Sequence, residues 1–291
     1  VQSAFQPVLN NNLPSLPRFR LLPRLYRLIL TLSRKHGLFT LSRFHHRWFG
    51  GDQYVDIPGG SRLFIPGDPH YFGFLSGIHE AHVTEAIAAS VREGDVCVDI
   101  GANIGYFSMI MARAAGAGGT VFAFEPVPDT FAVLKTNAML AREDGLNITP
   151  QQAAISAQEG ELVIDRQVYS TLNQVRAVES ELDALDSRVK CVTLKGFLES
   201  QRVTGQIALL KIDVEGHEVA VMEGALPVLR SGQVRKMIIE VTPGEDAVQL
   251  DRMLAGCGAK TLVWTGGAWQ DVPVQKLQNR TDVLALFPVT R

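Results

Sequence analysis

The sequence predicts an α/β protein built on one mostly parallel, doubly wound sheet of seven strands. Three observations support this fold class. From about residue 79 onward, short apolar segments typical of buried strands alternate with longer segments of helical periodicity. The apolar segment 96–100 runs directly into a glycine-containing turn and a helix, as in nucleotide-binding α/β sheets. The chain has 291 residues, 46% hydrophobic and 20% charged, a composition that excludes a disordered or fibrous protein and provides for a large core.

The first predicted element is a basic arm, residues 1–50, with an amphipathic helix at about 23–36. Eight of the 28 basic residues and none of the 30 acidic residues lie within residues 1–51. The apolar stripe is interrupted by Arg24 and Arg27 and is too short to cross a bilayer, and no secretory signal is predicted. The sequence leaves three targets for this arm open: the chain's own body, a second copy in a dimer, or a membrane or partner surface.

Residues 51–291 are predicted to form one domain, in which two segments depart from the strand–helix alternation. Residues 51–78 form a lead-in or lid, and residues 154–206 form an insertion where one crossover helix would have sufficed. The elements expected in these two segments are strands at 54–57, 62–65, 161–164 and 170–175 and a helix at 194–200.

The regular part of the domain consists of runs of about five to seven apolar residues separated by helices. The strands are expected at 96–100, 120–125, 147–153, 207–213, 236–241, 261–265 and 282–287. The helices are expected at 81–92, 105–114, 128–143, 216–230 and 245–256.

The turn after the first strand of the sheet, Asp99–Gly105, has the sequence DIGANIG. Ligands of such sheets bind beyond the carboxyl ends of the strands, where Gly101 and Gly105 allow positive φ and close approach of a ligand to the backbone. A dinucleotide-binding pattern would place a glycine at Asn103, and asparagine tolerates the same left-handed conformation. The residues of this turn assigned to a cofactor are Gly101, Ala102, Asn103, Gly105 and Tyr106.

Two carboxylates narrow the choice of cofactor. Glu125, followed by Pro126, ends the next strand 20 residues after Gly105, which suits hydrogen bonds to ribose hydroxyls; the alternative is a surface carboxylate that caps the following helix. Asp99 would repel a pyrophosphate but attract the cationic end of S-adenosylmethionine, directly or through water. Glu125 suits the ribose of either cofactor, so it is Asp99 that favours a methyl donor over a nicotinamide dinucleotide.

The strand 207–213 ends in a group of titratable residues and is expected to lie beside the strand that carries Asp99. Methyl transfer to a hydroxyl requires positioning of the acceptor and removal of its proton. Asp213 and His217 are alternative bases, and His217 could equally be an exposed residue of the first helical turn. Glu240, at the end of the next strand, is expected to bind the acceptor. No metal site is predicted, although Asp213 and Glu240 could hold a hard cation together with a third, unidentified ligand.

Together these three motifs, VDIGANIG, FEP and LKIDVEGHE, resemble the FkbM family of methyltransferases across about residues 78–241. The resemblance implies a class I, Rossmann-like S-adenosylmethionine fold and O-methylation of a sugar, polyketide, peptide or similar natural-product hydroxyl, with S-adenosylhomocysteine as product. It also implies that Glu80 faces the cofactor or the acceptor. The chain departs from the family pattern at 193–195, where Thr-Leu-Lys replaces the usual Leu-Asp, and the basic arm lies outside the resemblance.

The function expected from these features is that of a cytoplasmic O-methyltransferase acting on a small hydroxylated acceptor, with no nucleic acid involved. Three scattered cysteines fit a reducing compartment. The lead-in and the 154–206 insertion are expected to lie near the acceptor and to determine its identity. Two other functions stay open: a cofactor-binding scaffold that recruits a partner or membrane through its arm, and an NAD-dependent oxidoreductase.

Overall fold

The protein was analysed as a computed structural model, which describes residues 51–67, 71, 74, 77–165, 174–176 and 187–288. The basic arm and the middle of the insertion lie outside the described residues, so the helix at 23–36 and most of the strand at 170–175 stay predictions. Within the described part of the chain, no helix has both the length and the apolar character of a membrane span.

A mostly parallel sheet of eight strands forms the centre of the fold. Its strands, in chain order, are β3 (Val96–Ile100), β4 (Thr120–Phe124), β5 (Ile148–Gln151), β10 (Ile207–Ile212), β11 (Val234–Val241), β12 (Lys260–Trp264), β13 (Trp269–Gln270) and β14 (Thr281–Leu286). They are arranged in the order β13-β12-β14-β11-β10-β3-β4-β5. β10 runs parallel to both β3 and β11, whereas β14 is antiparallel to β11 and β12. The fold class and all seven predicted strands are confirmed, but the count of seven was one too low because a two-residue strand such as β13 leaves no periodic signal.

In the described part of the chain, six α-helices pack on the two faces of this sheet, as a doubly wound fold requires. They are α1 (Ala81–Ala88), α2 (Tyr106–Ala115), α3 (Pro128–Glu143), α4 (Leu194–Ser200), α5 (Glu218–Arg230) and α6 (Glu245–Gly256). α1, α2 and α3 bury their apolar sides in one core, and α4, α5 and α6 bury theirs in a second core on the other face. α1 ends at Ala88, four residues before the predicted end, because a turn and a short non-helical segment lead from there into β3.

The insertion builds a separate four-stranded sheet in the order β6-β9-β7-β8. Its strands are β6 (Ala154–Ile155), β7 (Gly160–Asp165), β8 (Gln174–Arg176) and β9 (Ser187–Val192). β9 was not predicted, although its residues SRVKCV alternate between exposed and buried positions in the way that marks a half-buried strand.

The lead-in segment forms an antiparallel hairpin of β1 (Gln53–Asp56) and β2 (Arg62–Ile65). Asn137, fully buried in α3, fastens this hairpin to the core. Its Oδ1 accepts from the Phe64 amide at 2.7 Å, and its Nδ2 donates to the carbonyls of Phe64 and Ile104 at 3.0 and 2.7 Å. One side chain thus ties the lead-in both to α3 and to the turn that follows β3.

Asn137→Ala should lower the free energy of unfolding by about 2–4 kcal/mol, because it leaves buried backbone groups of Phe64 and Ile104 without their partner. Urea unfolding followed by circular dichroism measures the change. Asn147→Ala is the matched control, since this exposed amide donates only to the Thr120 hydroxyl. Equal midpoints for both variants would show that Asn137 does not fasten the hairpin.

Candidate active site

The turn between β3 and α2 has the backbone that its sequence predicts. Gly101, Asn103 and Gly105 have φ values of 79°, 51° and 90°. Asn103 therefore takes the left-handed conformation expected of it, and its Oδ1 accepts from the Ile104 amide at 2.8 Å. A Cβ at Gly101 would lie 1.8 Å from the carbonyl oxygen of Asp213, so only glycine allows β10 to approach the turn this closely. The amides of Gly101 and Ala102 donate to the Phe124 carbonyl at the end of β4.

Glu125 lies directly behind this turn and is only 6% exposed. Its Oε2 accepts from the Asn103 amide at 3.0 Å and its Oε1 from the Val127 amide at 2.9 Å. Burial raises the pKa of Glu125 to about 7, although both backbone hydrogen bonds act to lower it. A carboxylate has further lone pairs, so this fixed side chain can still accept hydrogen bonds from a ligand. The alternative of a surface carboxylate is wrong, although the bond to Val127, which precedes α3, does bring Glu125 to the helix N-terminus.

Asp99 is fully buried on β3. Its Oδ2 accepts from the Ser108 hydroxyl at 2.6 Å, whereas its Oδ1 has no hydrogen-bond partner among the described residues. Burial raises the pKa of Asp99, and the nearby charge of Lys211 opposes that shift. A buried, half-satisfied carboxylate beside a glycine turn suits a cationic ligand group better than a pyrophosphate. The turn, Asp99 and Glu125 therefore fit S-adenosylmethionine as the cofactor.

The pairing of neighbouring strands places several carboxylates in a row beside this turn. Lys211 lies opposite Asp99 and opposite Ile238 in the parallel ladders of β10 with β3 and β11. Because side chains alternate along a strand, the positions two residues further on, Gly101, Asp213 and Glu240, share that face. Glu240 is paired in turn with Asp282 on β14. The four acids of this carboxylate row are Glu125, Asp213, Glu240 and Asp282.

Lys211 is the buried cation beneath the row, with 2% of its side chain exposed. Its Nζ donates to Oδ2 of Asp213 at 2.9 Å and lies 4.6 Å from the centroid of the Phe107 ring. Burial alone would raise the pKa of Asp213, but the charge and hydrogen bond of Lys211 outweigh it and hold that pKa below its usual value. Asp213 is therefore an ionised carboxylate at neutral pH and a weak base.

Arg280 is the second cation of the site and joins two further acids. Its Nη2 lies 2.6 Å from Oε2 of Glu215 and also contacts Oε2 of Glu240. Burial and the charge of Asp213 raise the pKa of Glu240 to about 8, although Arg280 acts in the opposite direction. Oxygen atoms of Asp213, Glu215 and Glu240 lie within 4.8 Å of one another, so in the metal alternative Glu215 would be the third ligand. In this structure the guanidinium of Arg280 already contacts both Glu215 and Glu240.

Two further residues that the sequence singled out are His217 and Glu80. The His217 ring lies against the insertion: its Nε2 is 3.1 Å from the Ser156 hydroxyl, and burial lowers its pKa. Among the described residues, no hydrogen bond or ion pair joins His217 to Asp213 or Glu240. Glu80, with φ 41°, precedes α1, and burial and the charge of Asp282 raise its pKa to about 7.

Tyr106 serves the scaffold of the site in this structure. Its buried hydroxyl accepts from the His79 amide at 3.1 Å and donates to the Gly77 carbonyl at 3.3 Å. Pro126 follows Glu125 and is half-buried. Sequence reasoning missed Lys211 and Arg280. A lysine in the otherwise apolar strand IALLKI was a signal for Lys211, whereas no spacing rule links Arg280 to acids 40 and 65 residues away.

Lys211→Met should lower the free energy of unfolding at pH 7 by about 3–5 kcal/mol, because it leaves the buried Asp99 and the partly exposed Asp213 without their cation. In the wild type, the lowered pKa of Asp213 contributes stability above the carboxyl's ordinary pKa, and this contribution is lost as the pH falls. In the variant, burial makes protonation favourable, so the stability gap should narrow between pH 7 and pH 4.

Denaturant unfolding at several pH values tests this. Lys195→Met is the control, since Lys195 forms only an exposed i,i+4 pair with Glu199. A gap that is independent of pH would contradict the assigned role of Lys211.

Comparison with known proteins places the chain in a family. Residues 99–261 match the model of the methyltransferase FkbM domain. The hexuronic acid methyltransferase AglP of Haloferax volcanii is 28% identical over 200 residues, which cover 69% of this chain and 78% of AglP. The 31-O-demethyl-FK506 methyltransferase FkbM of Streptomyces tacrolimicus is 46% identical over 70 residues, covering 24% of this chain and 25% of that enzyme.

Among solved structures, the methyltransferase FkbM from Methylobacillus flagellatus aligns with a TM-score of 0.43 and 12% identity over 75% of this chain and 53% of that one. The family match covers more than half of the 291 residues and confirms the resemblance seen in the three motifs. The chain belongs to the FkbM family of S-adenosylmethionine-dependent methyltransferases.

Proposed function

We propose that this methyltransferase transfers the methyl group to a hydroxyl of a small sugar, polyketide or similar natural-product acceptor. The observation that carries the proposal is the carboxylate row, in which the donor residues and the acceptor residues lie on adjacent strands. The backbone of Gly101 packs so closely against that of Asp213 that a Cβ at Gly101 would overlap the Asp213 carbonyl oxygen. A donor held at the turn is therefore beside Asp213 and Glu240.

The donor side of the site consists of residues that the sequence had singled out. S-adenosylmethionine, when bound, supplies a methyl group on a positively charged sulfur. Asp99 offers that cation a buried oxygen without a partner, and Glu125 offers a fixed carboxylate to ribose hydroxyls. The other residues proposed to bind the donor are Glu80, Gly101, Ala102, Asn103, Gly105, Tyr106 and Pro126.

The acceptor hydroxyl must lose its proton as its oxygen bonds to the methyl carbon. Asp213 is held ionised by Lys211, which makes it a poor base but a good hydrogen-bond acceptor for orienting a hydroxyl. Glu240, whose pKa is about 8, is matched to proton transfer near neutral pH. We therefore assign removal of the proton to Glu240 and orientation of the hydroxyl to Asp213. His217 is the alternative base.

The acceptor class is inferred from relatives of known specificity. The names of AglP and FkbM specify a hexuronic acid and a demethylated FK506 as their acceptors. Both molecules are small and richly oxygenated, and an acceptor of this kind suits a site lined by carboxylates and an arginine. We place the enzyme in the cytoplasm, and the cysteines Cys97, Cys191 and Cys257 are all free. The roles of the arm in membrane, partner or dimer contacts stay predictions.

Glu125→Gln should weaken binding of S-adenosylhomocysteine by roughly 10- to 100-fold, the effect of losing a charge-assisted hydrogen bond. Because the pKa of Glu125 is about 7 and its ionised form accepts the ribose hydrogen bonds, wild-type affinity should rise about tenfold from pH 6 to pH 8. The variant should show no such rise. Calorimetric titration gives both values. Glu143→Gln, at an exposed position of α3, should behave as the wild type, and equal affinity of Glu125→Gln would refute the ribose role.

Glu240→Gln should lower kcat by about 10²–10⁴-fold at pH 7, the usual contribution of a general base, while affinity for S-adenosylhomocysteine stays unchanged. The wild-type rate should rise with pH toward the pKa of Glu240, near 8, and this limb should be absent in the variant. Release of S-adenosylhomocysteine with an acceptor found by screening measures both. His217→Gln should stay within about threefold of the wild type. If His217→Gln lowered kcat more than Glu240→Gln, the base would be His217.

A further inference from the structure

Beyond Glu240 and Asp282, the next two strands carry two tryptophans at the corresponding positions. β12 is paired with β14 so that Val263 lies opposite Val283, which sets Trp264 opposite Asp282. Trp264 is paired in turn with Trp269 on the edge strand β13. Both tryptophans therefore stand on the same face and at the same edge of the sheet as Asp213 and Glu240. Each is partly exposed.

A histidine from α1 completes this group. The His82 ring stacks on Trp264 with 4.5 Å between centroids and 10° between planes, and its Nε2 lies 2.7 Å from Oδ2 of Asp282. This contact fixes the position of the Asp282 carboxyl beside Glu240. The planes of Trp264 and Trp269 are inclined at 60° with centroids 5.5 Å apart, so the two indoles form a corner instead of a parallel slot.

We propose that Trp264, Trp269, His82 and Asp282 form the subsite that binds the acceptor, and that its occupant is a saturated, hydroxylated ring of the glycosyl class. This rests on the proposed function and names its substrate class. A pyranose ring presents apolar C–H groups on its faces and hydroxyls around its rim. Indole rings bind the apolar faces, and carboxylates accept hydrogen bonds from the rim.

The geometry favours a ring of this shape over a flat aromatic acceptor. Two parallel aromatic planes would suit a flat ring, whereas an inclined pair suits a chair-shaped ring that offers C–H groups in two directions. Neighbouring strands are roughly 4.8 Å apart, so Trp264 lies about two strand spacings from Glu240. A ring seated against the indoles can thus present a hydroxyl, or the hydroxyl of an attached second ring, to Glu240 across Asp282.

The test uses the full chain saturated with S-adenosylhomocysteine and the methyl α-glycosides of glucose, galactose, mannose and glucuronic acid. Saturation-transfer NMR and calorimetry should detect binding of at least one glycoside in the millimolar range. Trp264→Leu and Trp269→Leu should each weaken that binding by tenfold or more. Their affinity for S-adenosylhomocysteine should stay at the wild-type value, which shows that they are folded. Tyr54→Leu is the control, since Tyr54 is an exposed aromatic of the lead-in hairpin, with 58% exposure.

Three outcomes would overturn the inference. Binding of none of the four glycosides by a wild type that binds S-adenosylhomocysteine would exclude the glycosyl class and leave the proposed methyl transfer intact. Glycoside binding that persists in both tryptophan variants would place the acceptor elsewhere. A wild type that fails to bind S-adenosylhomocysteine would overturn the proposed function itself, and this inference with it.

Discussion

The buried ammonium of Lys211 is the interaction on which the rest of the site depends. The strand β10 is otherwise apolar, and a charge within it carries a large desolvation cost unless partners are close. Asp213 supplies a direct ion pair, Asp99 supplies a second negative charge, and the Phe107 ring supplies a π face. These contacts raise the pKa of Lys211 in spite of its burial, so it remains protonated. The charge of Lys211 in turn stabilises the carboxylates of the buried Asp99 and the partly exposed Asp213.

The acids of the carboxylate row have different chemistry because each has a different partner. The acids also differ in burial, since Glu125 and Asp282 are buried whereas Asp213 and Glu240 are partly exposed. Glu125 is held by two backbone amides and Asp213 by an ammonium, whereas Asp282 is in contact with a histidine and Glu240 shares its guanidinium with Glu215. The pKa of Asp213 lies below its ordinary value, while those of Glu125 and Glu240 lie above theirs. Carboxyl groups with separated pKa values can divide the tasks of binding, orienting and proton transfer.

Most of the fold could be predicted from the sequence, and so could the geometry of the turn whose residues are proposed to bind the donor, because both follow from local patterns. Buried parallel strands appear as apolar runs, and the turn at Gly101 is specified by residues adjacent in the chain. The acceptor side depends on pairings across the sheet. Arg280 meets Glu215 and Glu240 only because β14 returns antiparallel beside β11, and Trp264 joins Asp282 only through the register of β12. His217 is a case in which closeness in sequence was misleading. Its position four residues after Asp213 suggested a shared role, but its ring contacts Ser156 of the insertion.

Gly101 lies where the turn after β3 meets the end of β10. Its missing side chain is usually explained by the approach of a cofactor to the turn. Here the nearest obstacle to a Cβ is the Asp213 carbonyl, in a chain where the Asp213 amide also donates to the Ile100 carbonyl at 3.0 Å. Any larger residue would push β10 away from β3 and carry Asp213 and its bond to Lys211 with it. The glycine therefore sets the spacing between the residues proposed to bind the donor and those proposed to bind the acceptor. In an in-line displacement, where an error of about 1 Å can cost about 100-fold in rate, that spacing would matter to the proposed reaction as much as the base does.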